Sequence, residues 1–537
     1  MTILAKAEIL LASSTIIAFV VTIFKMQDIL SFGKLALHLN QTDESCFHNS
    51  LDCNLSSGYR KLIASASSYK LLTYYLCLLT TWLSCLLFSL VKKARVLSLI
   101  RISTEVLLLN STLIVCFPII IIVNGSLSLI RHCIRVYFKH SSNGQFLLMK
   151  SGDAVWAQED YAQCCNFNCV YVLEGFCDLE KIRQKFQKLT ENPKYERMRR
   201  NVVRKFGFFC WERNENVCIN EHVKLMQDGA EPLTDEQVFQ KISEFTDEVF
   251  PQDKPPWEVL VVPRYQYTSK FPEESLPRNK RYYALVFRVH HALMDGISAG
   301  QVIRNEIADG HVNLSVDPCQ PIRISFRQKL YLYTKFSVTS VRNIIKSLLL
   351  MESNCFHTGK PLTGPKTYGW SRKIDLNSLK ELRIRAGVTT TGTLLTAFGL
   401  ALKNFAASKK LALPEKIHAG STVAMLPYPD SKPQNGFILA HLPIYIGHQS
   451  KLQNLKQIQQ TTRNLSTSSD LIMNKLLLWL VGRWPIGVQD LFLKLVHGTA
   501  LVSNVPGFKS ECTLFGDKLV DAVGWTPLKG TTGMRSA

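Results

Sequence analysis

At 537 residues the chain is too long for one ordinary domain and long enough to bury a large core; 46% hydrophobic residues and a mean hydropathy of +0.04 lie above a typical soluble enzyme. Lys and Arg exceed Asp and Glu by 63 to 42, a net +21, which favours a phospholipid surface or a phosphate-bearing small molecule. The basic residues are scattered without a zinc-finger or RNA-binding signature, so nucleic acid is excluded as the expected partner.

Three apolar runs open the chain. Ile9 to Phe24 is short for a span, and a signal anchor, a signal peptide and an interfacial helix stay open. Leu71 to Val91 carries no charge and is followed by Lys92, Lys93, Arg95 and Arg101, which places that end in the cytosol. Val106 to Ile130 is interrupted by Asn110, Pro118 and Asn124-Gly125, and a re-entrant hairpin broken near Pro118 keeps the downstream chain on the cytosolic side. Between the first two runs, Cys46 and Cys53 sit among the sequons Asn40-Gln41-Thr42 and Asn54-Leu55-Ser56, as in a lumenal, disulfide-closed loop. Residues 1–140 are thus expected to be a membrane-anchoring region with segments at about 9–24, 71–91 and 106–130.

Past about residue 145 the sequence turns mixed. Cys169 to Leu173 reads as a strand, Asp178 to Leu189 as a capped helix with Leu179, Ile182, Phe186 and Leu189 on one face, and Trp257 to Val262 as a strand. Cys164-Cys165 and Cys169 read as reduced thiols, since none of the fifteen cysteines belongs to a paired Cys-x-x-Cys pattern. Tyr282 to Val289 alternates like a strand. It runs into His290-His291-Ala292-Leu293-Met294-Asp295-Gly296, after which Ile297, Val302, Ile303 and Ile307 take helical spacing and Gly310 can stop the helix.

That strand-to-helix crossover is the candidate active site. Imidazole titrates near neutrality, so a neutral histidine can take a proton and return it. Asp295 is placed to fix local geometry by an ion pair or a backbone hydrogen bond, and Gly296 keeps the approach open. A metal site needs third and fourth ligands that the neighbouring sequence does not supply.

Gln328 to Met351 reads either as a core helix joining two lobes or as a basic amphipathic helix lying on a membrane. Further on, Asp375 to Ala386 and Leu394 to Phe405 read as helices and Ile438 to Ile446 as a strand. Leu471 to Val481 is too short to span a bilayer. Ser503 to Gly507 forms a turn.

His-His-x-x-x-Asp-Gly resembles the signature of the coenzyme-A-dependent acyltransferase superfamily. An ordered set of stretches narrows the resemblance to the wax ester synthase/diacylglycerol acyltransferase family. Ser151-Gly152-Asp153-Ala154 is similar to its opening. Trp211 with Ile219-Asn220-Glu221-His222-Val223 resembles an early strand signature, and Pro256-Trp257-Glu258 its Pro-Leu-Trp element. Pro361-Leu362-Thr363-Gly364, Asn435-Gly436 with Leu442-Pro443, and Ser503-Asn504-Val505-Pro506-Gly507 resemble second-half elements. Thr391-Gly392 departs from the usual Asn-Asp, Phe508 from the usual proline, and the sequence stops at Ala537 where relatives continue.

The resemblance implies an α/β (α+β) fold of two chloramphenicol-acetyltransferase-like lobes, at 145–325 and 359–537, joined through 326–358 and preceded by the helical transmembrane region. It implies transfer of a fatty acyl group from acyl-CoA, a substrate, to a long-chain alcohol or diacylglycerol at a lipid bilayer. No cofactor and no metal are expected. His291 would be the general base, with His290 and Asp295 holding geometry. Trp257, Gly296, Ser503, Asn504 and Gly507 would bind substrate or shape the site, Asn504 as candidate oxyanion donor. The expected location is the endoplasmic reticulum with the lobes facing the cytosol, the plasma membrane being the alternative. The departures leave a silent or truncated membrane-anchored homologue with a binding role as the competing expectation, and an amine or polar-alcohol acceptor as a third.

Overall fold

The computed structural model describes residues 122–158, 164–226, 231–246, 248–267, 280–310, 312, 325–328, 330–331, 354–357, 366–371, 373–425, 432–447, 450–465, 469–493, 498–505, 507–527 and 534–536. The apolar runs at 9–24 and 71–91, nearly all of 106–130, and most of 328–351 lie outside them. Among the described residues no helix is long and apolar enough to cross a membrane. The chain divides into two units, Met1–Val123 with Ser325–Asn343, and Asn124–Ile324 with Ile344–Ala537. All four sheets of the described residues and the active-site motif belong to the second.

A helix through 124–141 (α1) leads into β1 (Phe146–Leu148), a single helical turn α2 (Ser151–Ala154), β2 (Asn166–Glu174) and α3 (Leu179–Glu191). Asp178 caps α3 by accepting from the Lys181 amide, and Ile182, Phe186 and Leu189 are its buried stripe. A hairpin of β3 (Arg200–Lys205) and β4 (Phe208–Arg213) pairs with β1 in a three-stranded sheet. Ile219–His222 forms a helical turn (α4) and only Val223–Leu225 is extended (β5), a correction to the strand expected across Ile219–Val223. Backbone bonds close this turn, the Glu221 amide donating to Cys218 O at 3.1 Å and the Val223 amide to Ile219 O, while the His222 imidazole sits on the Trp257 carbonyl at 2.6 Å.

The short β6 (Leu233–Thr234) leads into α5 (Asp235–Thr246), then β7 (Trp257–Val262), β8 (Tyr265–Gln266), β9 (Tyr282–His290) and α6 (Gly296–Val302). The main sheet runs β13 (Thr513–Leu514), β14 (Asp517–Trp525), β2, β9, β7, β5, and β9 lies inside it. Its alternation is the reason. Tyr283, Leu285, Phe287 and Val289 pack into one core with Trp257 and Phe186, while Ala284 and Val286 pack into a second with Leu260, Val262 and Ile242 of α5. A strand apolar on both faces has no solvent-facing side, so it takes an interior position. Helix α6 passes into a wider turn over Ile303–Ile307 before Gly310, which takes φ +77°.

The second half contributes α7 (Leu376–Ala386), α8 (Thr390–Ser408), β10 (Lys416–Ala424), β11 (Phe437–Tyr445), α9 (Lys451–Leu465), α10 (Ser469–Val481), α11 (Ile486–Leu493) and β12 (Ala500–Val502). With β15 (Met534–Ser536) the strands form a sheet ordered β11-β10-β12-β15. Leu395 and Leu402 of α8 and Ile458 of α9 cover its Ile417, Leu442 and Ile444. The intervening β13 (Thr513–Leu514) and β14 (Asp517–Trp525) join the other sheet beside β2. The Tyr283 hydroxyl donates to Asp517 at 2.9 Å and Tyr267 to Asp521 at 2.8 Å, tying that return strand to the first half.

Candidate active site

His290 ends β9 and His291 opens the turn that follows it. The His290 amide donates to Pro256 O at 3.0 Å and the His291 amide to Cys165 O at 2.7 Å, so the backbone on both flanks pins the pair. The His290 ring then serves the turn itself: its Nδ1 accepts from the Ala292 amide at 3.0 Å.

His291 is buried, stacked on Trp156 at 4.4 Å between ring centroids, with Phe437 at 5.2 Å and Phe167 edge-on at 5.7 Å. Its Nδ1 lies 2.9 Å from Oδ1 of Asn435, just before β11. The orientation of that amide is decided by its other end. Asn435 Nδ2 donates to Asp153 Oδ1 at 3.0 Å and to the His291 carbonyl at 2.8 Å, two acceptors that an amide oxygen could not face. Oδ1 therefore faces the imidazole, and Nδ1 carries the hydrogen of that contact.

Asp153, on α2, is buried and ion-paired with Arg197 at 3.1 Å. Arg197 lies over the Trp211 ring, 5.3 Å from its centroid, and donates to Leu293 O at 3.3 Å. The imidazole is thus the end of a chain running Arg197, Asp153, Asn435, His291.

Asp295 caps α6, its Oδ1 accepting from the Ser298 amide at 2.9 Å and its Oδ2 from the Gly436 amide at 2.8 Å, while its own amide donates to Gln434 O at 3.1 Å. Asp295 therefore clamps the histidine motif to the Asn435 loop. A Cβ at Gly296 would stand 3.3 Å from Val505 Cγ2, so this glycine lets the Ser503 loop come close.

The remaining sequence candidates divide. Trp257 is fully buried, its ring stacked on His222 at 4.4 Å and on Phe186 at 5.9 Å, its indole N–H donating to Met198 O at 2.8 Å: a core residue whose strand pairs with β9. Ser503 Oγ lies 3.1 Å from Thr422 Oγ1. Asn504 Nδ2 donates to Thr391 Oγ1 at 3.4 Å, so the residue that departs from the usual Asn-Asp pair meets the proposed oxyanion donor. A Cβ on Gly507 would meet open space. Asp153, Trp156, Arg197 and Phe437 went unnoticed as site residues in the sequence; Asp153 and Asn435 each lay in a recognised stretch without a role.

Burial pushes the Cys169 thiol up to about 12 and Cys512 to about 11, so neither supplies a thiolate near neutrality. Among the described residues no group of three His, Cys, Asp or Glu stands together to hold a metal ion. A half-open cavity of about 410 Å³ lies off Arg288, Glu258 and His222 and is lined by neither histidine of the motif.

A buried imidazole with one nitrogen fixed as donor, at a strand-to-helix crossover of an α/β fold, has the make-up of a proton-transferring site. Residues 169–313 match the model of the wax ester synthase/diacylglycerol acyltransferase catalytic domain, and residues 434–536 that of the WS/DGAT C-terminal domain. The chain belongs to the wax ester synthase/diacylglycerol acyltransferase family. Its class of activity is therefore acyl transfer in wax ester or triacylglycerol synthesis, a family that uses acyl-CoA and an alcohol or acylglycerol acceptor. No curated protein matches the chain significantly. Among solved structures, the wax ester synthase/diacylglycerol acyltransferase from Marinobacter aquaeolei VT8 is 14% identical, covering 72% of this chain and 89% of its own, at a TM-score of 0.48. The starter condensation domain of rhizomide synthetase RzmA, a mutant in complex with C8-CoA and Leu-SNAC, is 11% identical over 74% and 86%, at 0.41. Polyketide synthase associated protein 5 from Mycobacterium tuberculosis is 11% identical over 73% and 90%, also at 0.41.

Proposed function

We propose that the protein transfers a fatty acyl group from acyl-CoA to the hydroxyl of a long-chain alcohol or diacylglycerol, with His291 as general base. The supporting observation is the fixed ring: Asn435 Oδ1 accepts from Nδ1, so in the neutral imidazole Nε2 is the nitrogen that would take the acceptor's proton. As the acceptor oxygen bonds to the thioester carbon, its proton passes to Nε2. When the tetrahedral intermediate expels the thiolate, the imidazolium returns that proton to sulfur. The imidazole ends as it began, so the cycle requires neither a covalent acyl-enzyme nor a metal.

In this reading His290 and Asp295 hold geometry, Trp257 supports β9, Gly296 leaves room for the Ser503 loop, and Asn504 stabilises the oxyanion. The reaction is placed at the endoplasmic reticulum membrane with the catalytic lobes in the cytosol, where acyl-CoA and lipid acceptors meet.

The test incubates membranes carrying the protein with labelled palmitoyl-CoA and either hexadecanol or diacylglycerol. Labelled wax ester or triacylglycerol is expected, and His291→Ala should reduce it to background with folding and membrane recovery unchanged. Undiminished ester from that variant overturns the general-base assignment. Ester from neither acceptor with the native chain favours a silent binding homologue.

A further inference from the structure

Helix α1 turns Ile134 and Phe138 inward onto Phe208 and Cys210, the spacing of one buried stripe. Its other face is not the polar one such a helix normally presents, because Leu129, Ile130, Val136 and Tyr137 are all exposed. The apolar exposure continues onto three neighbouring elements. At the β3–β4 tip, Phe206 is 61% exposed, its ring edge-on to Tyr137 at 5.6 Å. On α10, Trp479 is 45% exposed beneath the Arg483 guanidinium at 4.3 Å, and Arg483 donates to Ser128 of α1. The Ile486 amide donates to Gly207 O at 2.9 Å, fastening α11 and its 63% exposed Leu491 to the same tip.

Two independent features say what covers this face. Phe206 adopts φ +52°, a left-handed conformation that bulky side chains rarely occupy; a residue suited to the turn would be glycine or asparagine. The turn thus carries a strained backbone while it presents an aromatic ring to the outside. The second feature is charge. From residue 106 to residue 152 the sequence holds no Asp or Glu, while Arg131, Arg135, Lys139 and Lys150 fall within it. Burial, then Arg135 and Arg483, holds the Arg131 guanidinium down at about 10. Two copies meeting through this face would set like charges against each other, whereas an anionic lipid surface complements them.

We propose that the exposed face of α1, the β3–β4 tip, α10 and α11 is a membrane-docking surface. Its apolar side chains enter the interfacial layer of a bilayer, and exposed Arg135 and Lys139 meet lipid phosphates. The surface is built onto the active site. The Arg131 side chain donates to Met149 O at 2.6 Å, four residues before Asp153, and Asn474 of α10 donates to Leu439 O, two residues past Phe437. Docking here sets the His291 network against the bilayer that would hold a lipid acceptor.

A photo-crosslinking amino acid placed at Phe206 or at Leu491 of the full chain tests this without measuring activity, so its outcome is separate from that of the catalytic reading. The probe is vesicles of phosphatidylcholine with and without phosphatidylserine, and exposed Ile384 of α7 is the control position. Phospholipid adducts are expected at both positions and only background at Ile384. Phosphatidylserine should raise them, and Arg135→Gln or Lys139→Gln should reduce that gain by roughly fivefold per charge. Phe206→Asn relieves the turn, so the melting temperature should hold or rise while lipid adducts at Leu491 fall. Adducts to a second copy, adducts to residues 1–121, lipid labelling equal to that at Ile384, or a lower melting temperature with undiminished lipid adducts in Phe206→Asn would each overturn the proposal.

Discussion

His291 and Asn435 are 144 residues apart in sequence and meet at 2.9 Å, ring nitrogen to amide oxygen, across the two halves of the fold. Without that acceptor the imidazole is free to carry its hydrogen on either nitrogen. Asn435→Ala should therefore lower kcat by roughly 10²-fold, the low end of what a positioned base contributes, with KM for acyl-CoA changed far less. Steady-state rates with labelled palmitoyl-CoA, alongside circular dichroism to verify the fold, check this. An unchanged kcat would remove Asn435 from the mechanism.

Arg197 is the charge partner of buried Asp153. Arg197→Ala leaves a carboxylate uncompensated beside Asn435 and should cost about 3–5 kcal/mol of stability. Adding Asp153→Asn removes the stranded charge, so the double variant should be more stable than Arg197→Ala alone. Denaturant midpoints of the three proteins decide it.

The part of the site that could be read in the sequence is the part made locally. Tyr282 to Val289 announces a strand through alternation, and the seven-residue motif comes after it in an unbroken run. Asn435 and Asp153 could not be read that way. An Asn-Gly pair has an equally good explanation as a turn, and the Asp153–Asn435 contact joins residues 282 apart. The same limit applies to β13 and β14. Tertiary pairing with β2, reinforced by Tyr283–Asp517 and Tyr267–Asp521, is what assigns them to the first sheet. At Ile219–Val223 the expected strand is replaced by a backbone-bonded helical turn, Val223 N–H to Ile219 O, and only Val223–Leu225 pairs with β7.

Asp295 serves two backbone amides at once, Ser298 at the start of α6 and Gly436 on the opposing loop. Asp295→Ala should cost about 1 kcal/mol for the lost cap and about 1–3 kcal/mol more for the buried Gly436 N–H. Asp295→Asn keeps one acceptor oxygen and should lose less. Melting curves of the pair, with Asn more stable than Ala, are the measurement.

Burial holds the His222 imidazole below its usual range, a loss that its bond to the Trp257 carbonyl and the nearby Glu258 charge only partly offset. Below the ordinary histidine value of about 6.5 the unfolded chain takes up a proton that the folded chain refuses, so stability is complete above that pH and declines as pH falls through it. His222→Phe keeps the ring stack on Trp257 and should flatten this part of the acid limb between about pH 6.5 and 5. Melting temperatures of both proteins at about pH 7.5 and 5 should differ less for the variant; an identical drop would remove His222 as its source.

At Gly392 a Cβ would stand 2.6 Å from Gln459 Oε1, and that oxygen is already engaged. It accepts from the Thr389 amide at 2.8 Å and the Thr389 hydroxyl at 3.1 Å, while Thr389 caps α8 through the Gly392 amide. Gln459 cannot swing away without surrendering the turn that starts the helix. Gly392→Ala, although alanine is the better helix former, should destabilise by about 1–2 kcal/mol through those lost bonds. In Gln459→Ala the obstruction is gone, and the same glycine substitution should become neutral or stabilising. The double-mutant cycle should give a coupling of about 0.5–3 kcal/mol, the size found for residues in contact, and strict additivity would show that the departure at Gly392 has another cause.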